Sequence, residues 1–280
     1  MTIIQLLSQA RGVLSACGIE DASLECELLI MHILSISRTE LYQGFDRKLS
    51  TAEEEQFWDL LERLIGGEPS AYITGHREFY GLDFAVDSSV LIPRPESELL
   101  VEMALNMAKQ RPIATIAEIG TGSGAIAISL ALKLQQAKIY ATDISSAALK
   151  VALGNCQKHG VTNRIYLLEG DMLDPLPEPV DLLIANLPYV REDELSQVNT
   201  LPFEPSLALN GGTDGLEKIN RLCNGIGDKL RPGGCLLLEI GEGQGEAVAT
   251  SLSNLFPSAE IEVTPDLSGI ERVVSLILPQ

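Results

Sequence analysis

Basic residues are scarce in this sequence. Among its 280 residues, 20 Lys and Arg stand against 39 Asp and Glu, a formal charge of −19 at neutral pH. Residues 1–75 hold 5 basic and 12 acidic side chains, and residues 76–280 hold 15 and 27. Phosphate backbones are bound by clustered cations, so neither segment is expected to bind nucleic acid directly, nor to dock on an anionic membrane surface. No run approaches the roughly 18 apolar residues of a membrane span. The opening MTIIQLLSQAR has no basic leader before its apolar part, which argues against a secretory signal. The five cysteines (Cys17, Cys26, Cys156, Cys223, Cys235) are odd in number and form no C-x-x-C pair. No disulfide framework is therefore expected, and a reducing cytoplasm is. His32, His76 and His159 lie far apart, without ligand spacing, so no metal site is expected.

What is present is ordinary globular material. A hydrophobic fraction of 45% argues against disorder, and a chain of this length can bury a sizeable core without disulfides or metal. The first 65 residues read as helices. Ile3, Leu6, Leu7, Ala10, Val13, Leu14 and Cys17 recur at helical spacing, and a second stripe runs through Leu24, Leu28, Met31 and Leu34. Ser50 and Glu53 form a capping-box start for a helix carrying Phe57, Leu60, Leu61, Leu64 and Ile65. Aromatics and alternation from Phe79 to Val86, followed by Val90-Leu91-Ile92, suggest a β-hairpin connecting two domains. Pro95 opens a further helix. From about residue 113, strands at Ile113–Ile119, Ile139–Thr142, Ile165–Leu168, Leu182–Ala185 and Cys235–Ile240 alternate with helices at Ala125–Leu134, Ala147–Lys158 and Leu216–Leu230. That is the pattern of an α/β fold with a parallel sheet. Two last strand candidates, from Ile261 and from Val273, suit an antiparallel edge. The expected division is 1–71 helical domain, 72–93 hairpin linker and 94–280 α/β domain.

Glu118-Ile119-Gly120-Thr121-Gly122-Ser123-Gly124 follows a strand and precedes a helix. Small residues there let the backbone approach a ligand, and helix N-terminal amides face it. Gly120, Gly122 and Ala125 also fit G-x-G-x-x-A, so a dinucleotide dehydrogenase competes. Asp143 ends the next strand, 23 residues after Gly120. A carboxylate there accepts ribose hydroxyls in either case, the alternative being a helix cap. Glu118 is unusual for a dinucleotide site, and E-x-G-x-G-x-G looks like the first motif of S-adenosylmethionine-dependent methyltransferases. After the third strand, Asp171 could accept from an adenine amine and Met172 could cover its ring, or the pair could cap a loop.

Asn186-Leu187-Pro188-Tyr189 closes a buried strand at its carboxyl end, where ligands bind in open α/β sheets. A planar –NH2 group is a poor nucleophile because its lone pair is delocalised. The Asn186 side-chain oxygen and a nearby backbone carbonyl can hold its two N–H groups, and the Tyr189 ring can stack on it. No metal or covalent nucleophile is required.

This string resembles the N-P-P-Y signature of the HemK-type release-factor glutamine methyltransferases. Phe79-Tyr-Gly-Leu-Asp-Phe, Val90-Leu-Ile-Pro-Arg-Pro-Glu-Ser-Glu98, Thr142-Asp-Ile-Ser145, Glu204-Pro-Ser-Leu-Ala-Leu209, Glu239-Ile-Gly241 and Glu271-Arg-Val-Val274 extend the likeness over nearly the whole chain. The resemblance implies a seven-stranded Rossmann-like S-adenosylmethionine methyltransferase sheet with an antiparallel last strand, behind a small helical substrate-recognition domain. It implies methylation of the glutamine in the Gly-Gly-Gln loop of class 1 translation termination (release) factors. The cysteine usage suits a cytoplasmic enzyme, and nothing in the sequence suggests an obligate dimer, so a monomer is expected. Gly120 to Gly124, Asp143 and Asn186 would contact S-adenosylmethionine, and Asn186 to Tyr189 would hold the glutamine. Leu187 departs from the pattern by replacing the first proline. The acceptor expected there is a backbone carbonyl, which Leu also has, and the residue before Pro188 still favours an extended backbone.

The tetrapeptide N-L-P-Y also occurs in ribosomal RNA adenine dimethylases, so an adenine amine and a glutamine amide both fit it. The charge of −19 disfavours the first. It also suggests that an acidic face docks a basic surface of the termination factor. Raising salt from about 50 to about 500 mM shortens the screening length about threefold and should weaken that association. An affinity unchanged across that range, measured by titration, would exclude such docking.

Overall fold

Thr2, Ser37 and Ser50 each accept a hydrogen bond from the third helical amide, while Gln5, Glu40 and Glu53 reach back to the cap amide. These capping boxes open α1 (Ile3–Ala16), α3 (Arg38–Gln43) and α4 (Thr51–Ile65). With α2 (Ala22–Leu34) and α5 (Ser70–Thr74) they form the first of two units, Met1–His76, in a computed structural model that describes residues 1–195 and 203–280. Ile3, Leu6, Leu29, Ile30, Phe57 and Leu61 form its core. The stripe expected of the second helix is out of phase. α2 buries Ala22, Cys26, Leu29 and Ile30, whereas Leu24 is exposed and Leu28, Met31 and Leu34 are half-buried. Apolar side chains surround this helix, so spacing alone left its phase open, and packing against α1 and α4 sets it. Glu27 also faces inward, where it meets Arg38 (3.0 Å), Arg11 (3.4 Å) and the Tyr42 hydroxyl (2.9 Å).

The second unit, Arg77–Gln280, holds the sheet. A hairpin precedes it, with β1 (His76–Phe79) and β2 (Leu82–Ala85) joined by Tyr80-Gly81. Both loop residues have positive φ, 53° and 74°, as a tight two-residue hairpin requires. The hairpin is shorter than expected: Val90-Leu91-Ile92 is not a strand, although Val90 and Ile92 are buried. A short 3-10 turn, Pro95–Ser97, leads into α6 (Glu98–Gln110). Then follow β3 (Thr115–Ile119), α7 (Ala125–Lys133), β4 (Lys138–Asp143), α8 (Ser146–Lys158), β5 (Ile165–Glu169), β6 (Val180–Ala185), α9 (Glu217–Gly225), β7 (Leu230–Glu239), α10 (Gly245–Leu255), β8 (Glu260–Pro265) and β9 (Glu271–Ile277).

The sheet order is β5-β4-β3-β6-β7-β9-β8. Strands β3 to β7 pair in parallel, and β9 is antiparallel to both neighbours. Alternate residues feed two cores. Ile116, Ile139, Leu182 and Leu237 face α6 and α7, while Ala117, Leu183, Leu236 and Leu238 face α9 and α10. A strand covered on both faces reads as a continuous apolar run, as Leu182–Ala185 of β6 does. The helix expected at Leu216–Leu230 ends at Gly225, because Leu230 already pairs with Val180. A register shift between Val180 and Leu182 accommodates Pro232-Gly233-Gly234 inside the longer β7.

Glu118 interrupts the apolar run of β3 and is 2% exposed. Its Oε2 accepts from the Thr121 hydroxyl (2.6 Å) and from the Ala127 amide in the first turn of α7 (3.1 Å). Burial pushes this carboxyl up to about 8. The folded protein therefore retains a proton that the unfolded chain releases near 4.5, and the stability this contributes is lost as pH rises towards 8. Glu118→Gln can accept both hydrogen bonds without a charge. From about pH 5 to about pH 8 its stability relative to wild type should rise by at least about 1.4 kcal/mol, the equivalent of a tenfold change in proton affinity. Parallel denaturant melts at the two pH values check this.

Candidate functional site

The register of three strands assembles the site. Ile119 at the end of β3 pairs with Thr142 of β4 on one side and Ala185 of β6 on the other. The next residues in each strand are Gly120, Asp143 and Asn186, so the three motifs emerge side by side where the strand order reverses. Gly120, Gly122 and Gly124 have φ of 74°, 54° and 81°, a run that side chains rarely adopt. The Gly120 and Thr121 amides both donate to the Thr142 carbonyl (2.9 Å each), and the Gly122 amide donates to Asp143 Oδ2 (2.9 Å).

A cavity of about 270 Å³ lies over these strand ends. Gly120, Thr121, Gly122, Ser123, Asp143, Asp171, Met172, Asn186, Leu187 and Pro188 line it. Two expected residues do not. Gly124 serves as the left-handed N-cap of α7, and Tyr189 faces a smaller neighbouring hollow of about 50 Å³. Asn186 and Leu187 border both spaces. The Asp143 carboxylate accepts from the Gly122 and Ser145 amides, and Ser145 rather than Asp143 caps α8 through Ala148. Asp171 pairs with Arg221 of α9 at 2.7 Å, and the Met172 carbonyl accepts from the Thr142 hydroxyl (3.2 Å).

A buried hydrogen-bonded chain stands behind Asn186. Asn186 Nδ2 donates to Ser97 Oγ (2.9 Å), Ser97 Oγ donates to Glu239 Oε2 (2.6 Å), and the Tyr189 hydroxyl donates to Glu239 Oε1 (3.3 Å). Ser97 and Glu239 are 3% and 1% exposed. Burial pushes Glu239 up to about 7 and raises the Tyr189 phenol. The Tyr189 backbone is gripped as well. The Gly211 amide donates to the Val190 carbonyl (2.8 Å), and a Cβ on Gly211 would lie 2.7 Å from Tyr189 Cα, so only glycine fits.

Sequence reasoning missed several of these contributors. Asn155 of α8 is fully buried and donates to the carbonyls of Ser123 and Ala85, tying the glycine loop to β2. Arg94, on the cavity wall, meets the buried carboxylate of Glu204 at 2.6 Å. Ile144, 53% exposed, and Leu207 add apolar wall. Glu239 did carry a signal. A single carboxylate closing the apolar run Cys235–Leu238 repeats the placement of Asp143 at the end of β4 and comes close to that of Glu118, one residue before the end of β3. Ser97 lies in the Val90–Glu98 string that carries the resemblance, but nothing in that string gave it a role, since serine near a helix start is common.

Comparison with known proteins places this geometry. A family profile described as PrmC N-terminal domain matches residues 5–75, and one described as Ribosomal protein L11 methyltransferase (PrmA) matches residues 99–188. A methyltransferase structure from Pyrococcus furiosus shares the fold with a TM-score of 0.54 at 17% identity, over 79% of this chain and 99% of that one. The release factor glutamine methyltransferase of Bordetella pertussis is 42% identical over 89% of this chain and 93% of its own length. The protein of that name from Moorella thermoacetica is 43% identical over 97% of each chain. At such identity over nearly its full length, the chain belongs to the release factor glutamine methyltransferase family.

Proposed function

We propose that this protein transfers a methyl group from S-adenosylmethionine to the side-chain amide nitrogen of the glutamine in the Gly-Gly-Gln loop of class 1 release factors. The observation that carries the reading is the placement of Asn186. It borders both the larger cavity and the smaller hollow, and its Nδ2 is already committed to Ser97. Its Oδ1 is thereby turned into an acceptor for a substrate N–H.

The residues present suit the cofactor. The glycine loop offers close backbone approach, Asp143 has acceptor capacity for ribose hydroxyls beyond its two amide contacts, and Ile144 and Met172 supply an apolar wall for a purine. When bound, S-adenosylmethionine supplies an electrophilic methyl group on a sulfonium centre. The protein's own part is positioning. Asn186 Oδ1 and the backbone carbonyl of Leu187 would accept the two amide hydrogens of the glutamine, and Tyr189 would border its planar face. Orientation of this kind can supply about 7–11 kcal/mol of a barrier. The helical segment 1–71 would recognise the factor, with 72–93 linking it to the catalytic segment 94–280.

Purified termination factor incubated with the protein and S-adenosylmethionine should gain about 14 Da, one methylene, on the loop glutamine by mass spectrometry. A factor of unchanged mass would refute the reading. Asn186→Ala should lower kcat by about 10²–10³, the loss typical of one well-placed hydrogen-bonding group, while a thermal shift with S-adenosylhomocysteine persists. Leu187→Pro retains the backbone acceptor, so its kcat should fall far less. Leu187 is 4% exposed, however, and its loss should cost about 1–3 kcal/mol of stability in denaturant melts.

A further inference from the structure

Asn186 can serve as an acceptor only if its carboxamide faces the right way, and nothing in the side chain itself decides that. Its oxygen and nitrogen ends have nearly the same shape and differ only in hydrogen bonding. The deciding partner is Ser97, whose hydroxyl has one proton to give. We infer that Glu239 and Ser97 are positioning residues that set the orientation of the Asn186 carboxamide: ionised Glu239 accepts the hydrogen bond of the Ser97 hydroxyl, the Ser97 oxygen then accepts from Asn186 Nδ2, and Asn186 Oδ1 is left facing the substrate amide.

The geometry enforces this order. Ser97 Oγ lies 2.6 Å from Glu239 Oε2 and 2.9 Å from Asn186 Nδ2. A carboxylate only accepts, so the single Ser97 proton points to it, and the face of Ser97 towards Asn186 is a lone pair. Protonation of Glu239 on Oε2 reverses the chain. The carboxyl donates to Ser97 Oγ, the Ser97 hydroxyl rotates to donate towards Asn186, and a carboxamide turned over by 180° accepts from it through Oδ1. Nδ2 then meets the donor hydrogens of the substrate amide. The bonds within the relay are satisfied either way, so within the relay it is the charge on Glu239 that selects the productive orientation.

The groups around Glu239 leave its charge finely balanced. Burial and Glu96 of the Pro95–Ser97 turn oppose ionisation. Ser97, Tyr189 and Arg272 of β9 favour it, although Arg272 also pairs with Asp266 (3.2 Å). Arg94 adds positive charge on the Tyr189 side. The balance pushes the carboxyl up to about 7, so the relay switches near neutral pH. Its active form is the carboxylate, and activity should fall as pH drops below that value.

The catalytic consequence rests on the methyl-transfer reading, but the relay can be observed without it. In protein selectively labelled with ¹⁵N-asparagine and free of cofactor, the Asn186 carboxamide signals, identified by their loss in Asn186→Ala, should titrate with a midpoint near 7. Glu239→Gln should abolish that titration. Ser97→Ala, which removes only a hydroxyl, should do the same and carries the test if Glu239→Gln does not fold. Signals that do not move in the wild type, or that still titrate in either variant, overturn the inference whatever the enzyme does with release factor. In turnover, wild-type kcat should fall about tenfold per pH unit below neutrality, as for loss of one essential ionised group. Glu239→Gln should be flat from about pH 6 to about pH 8, at a rate about tenfold or more below the wild-type plateau, with KM for the release factor within about threefold of wild type. A Glu239→Gln profile that keeps the wild-type acid limb overturns the proposal. A wild type that titrates by NMR yet never methylates release factor would sink the functional reading and leave the relay standing.

Discussion

Ile119 is hydrogen-bonded in register with Thr142 on one side and Ala185 on the other, and the site is a consequence of that arrangement. β3 is the strand from which the chain travels first outward through β4 and β5, then back to the opposite side through β6 and β7. Parallel pairing brings equivalent strand ends level, and the reversal of order opens a crevice there. The glycine loop, Asp143 and Asn186 are spread over more than sixty residues of sequence. One register makes them neighbours, and a slip in the β3–β6 pairing would carry Asn186 out of line with the loop.

Those strand ends are also where the sheet places its carboxyls. Asp143 and Glu239 end their strands, and Glu118 lies one residue before the end of β3. Each is engaged differently. Glu118 fastens the start of α7, Asp143 holds the glycine loop through Gly122, and Glu239 anchors Ser97 and Tyr189. Burial raises Glu118 and Glu239 to the neighbourhood of neutral pH. The acidity of the chain is therefore of two kinds. Most of it is solvated surface charge, and a small part is buried, protonatable and structural.

The parts of the site that could be read from sequence are those whose chemistry is concentrated in a few consecutive residues. Gly120 to Gly124 and Asn186 to Tyr189 have compositions that few other local demands produce, and the strands beneath them are recognisable as apolar runs. The parts that escaped depend on pairing across long separations. Ser97 and Glu239 are 142 residues apart, and Asn155 reaches β2 across 70. Nothing local to any of them announces its partner. The phase of α2 and the end of α9 escaped for a different reason. In α2 the apolar residues exceed what one face needs, and β7 begins at Leu230, ahead of Pro232-Gly233-Gly234, and not at Cys235 as expected.

Leu187 shows how a departure from a family pattern can be judged by what the position must supply. A proline there would restrict the backbone, whereas leucine fills space. Its Cδ2 lies 3.5 Å from where a Cβ on Gly120 would stand, so the side chain supports the glycine loop from beneath while its own carbonyl remains available. Restriction of the turn is supplied from elsewhere, by Pro188 in the chain and by Gly211 and Gln244 against the Tyr189 backbone. The turn thus holds its shape through tertiary contacts where a second proline would have held it covalently. The position between Asn186 and Pro188 therefore has only to supply a backbone carbonyl and fill space, whereas Asn186 must present one oriented carboxamide.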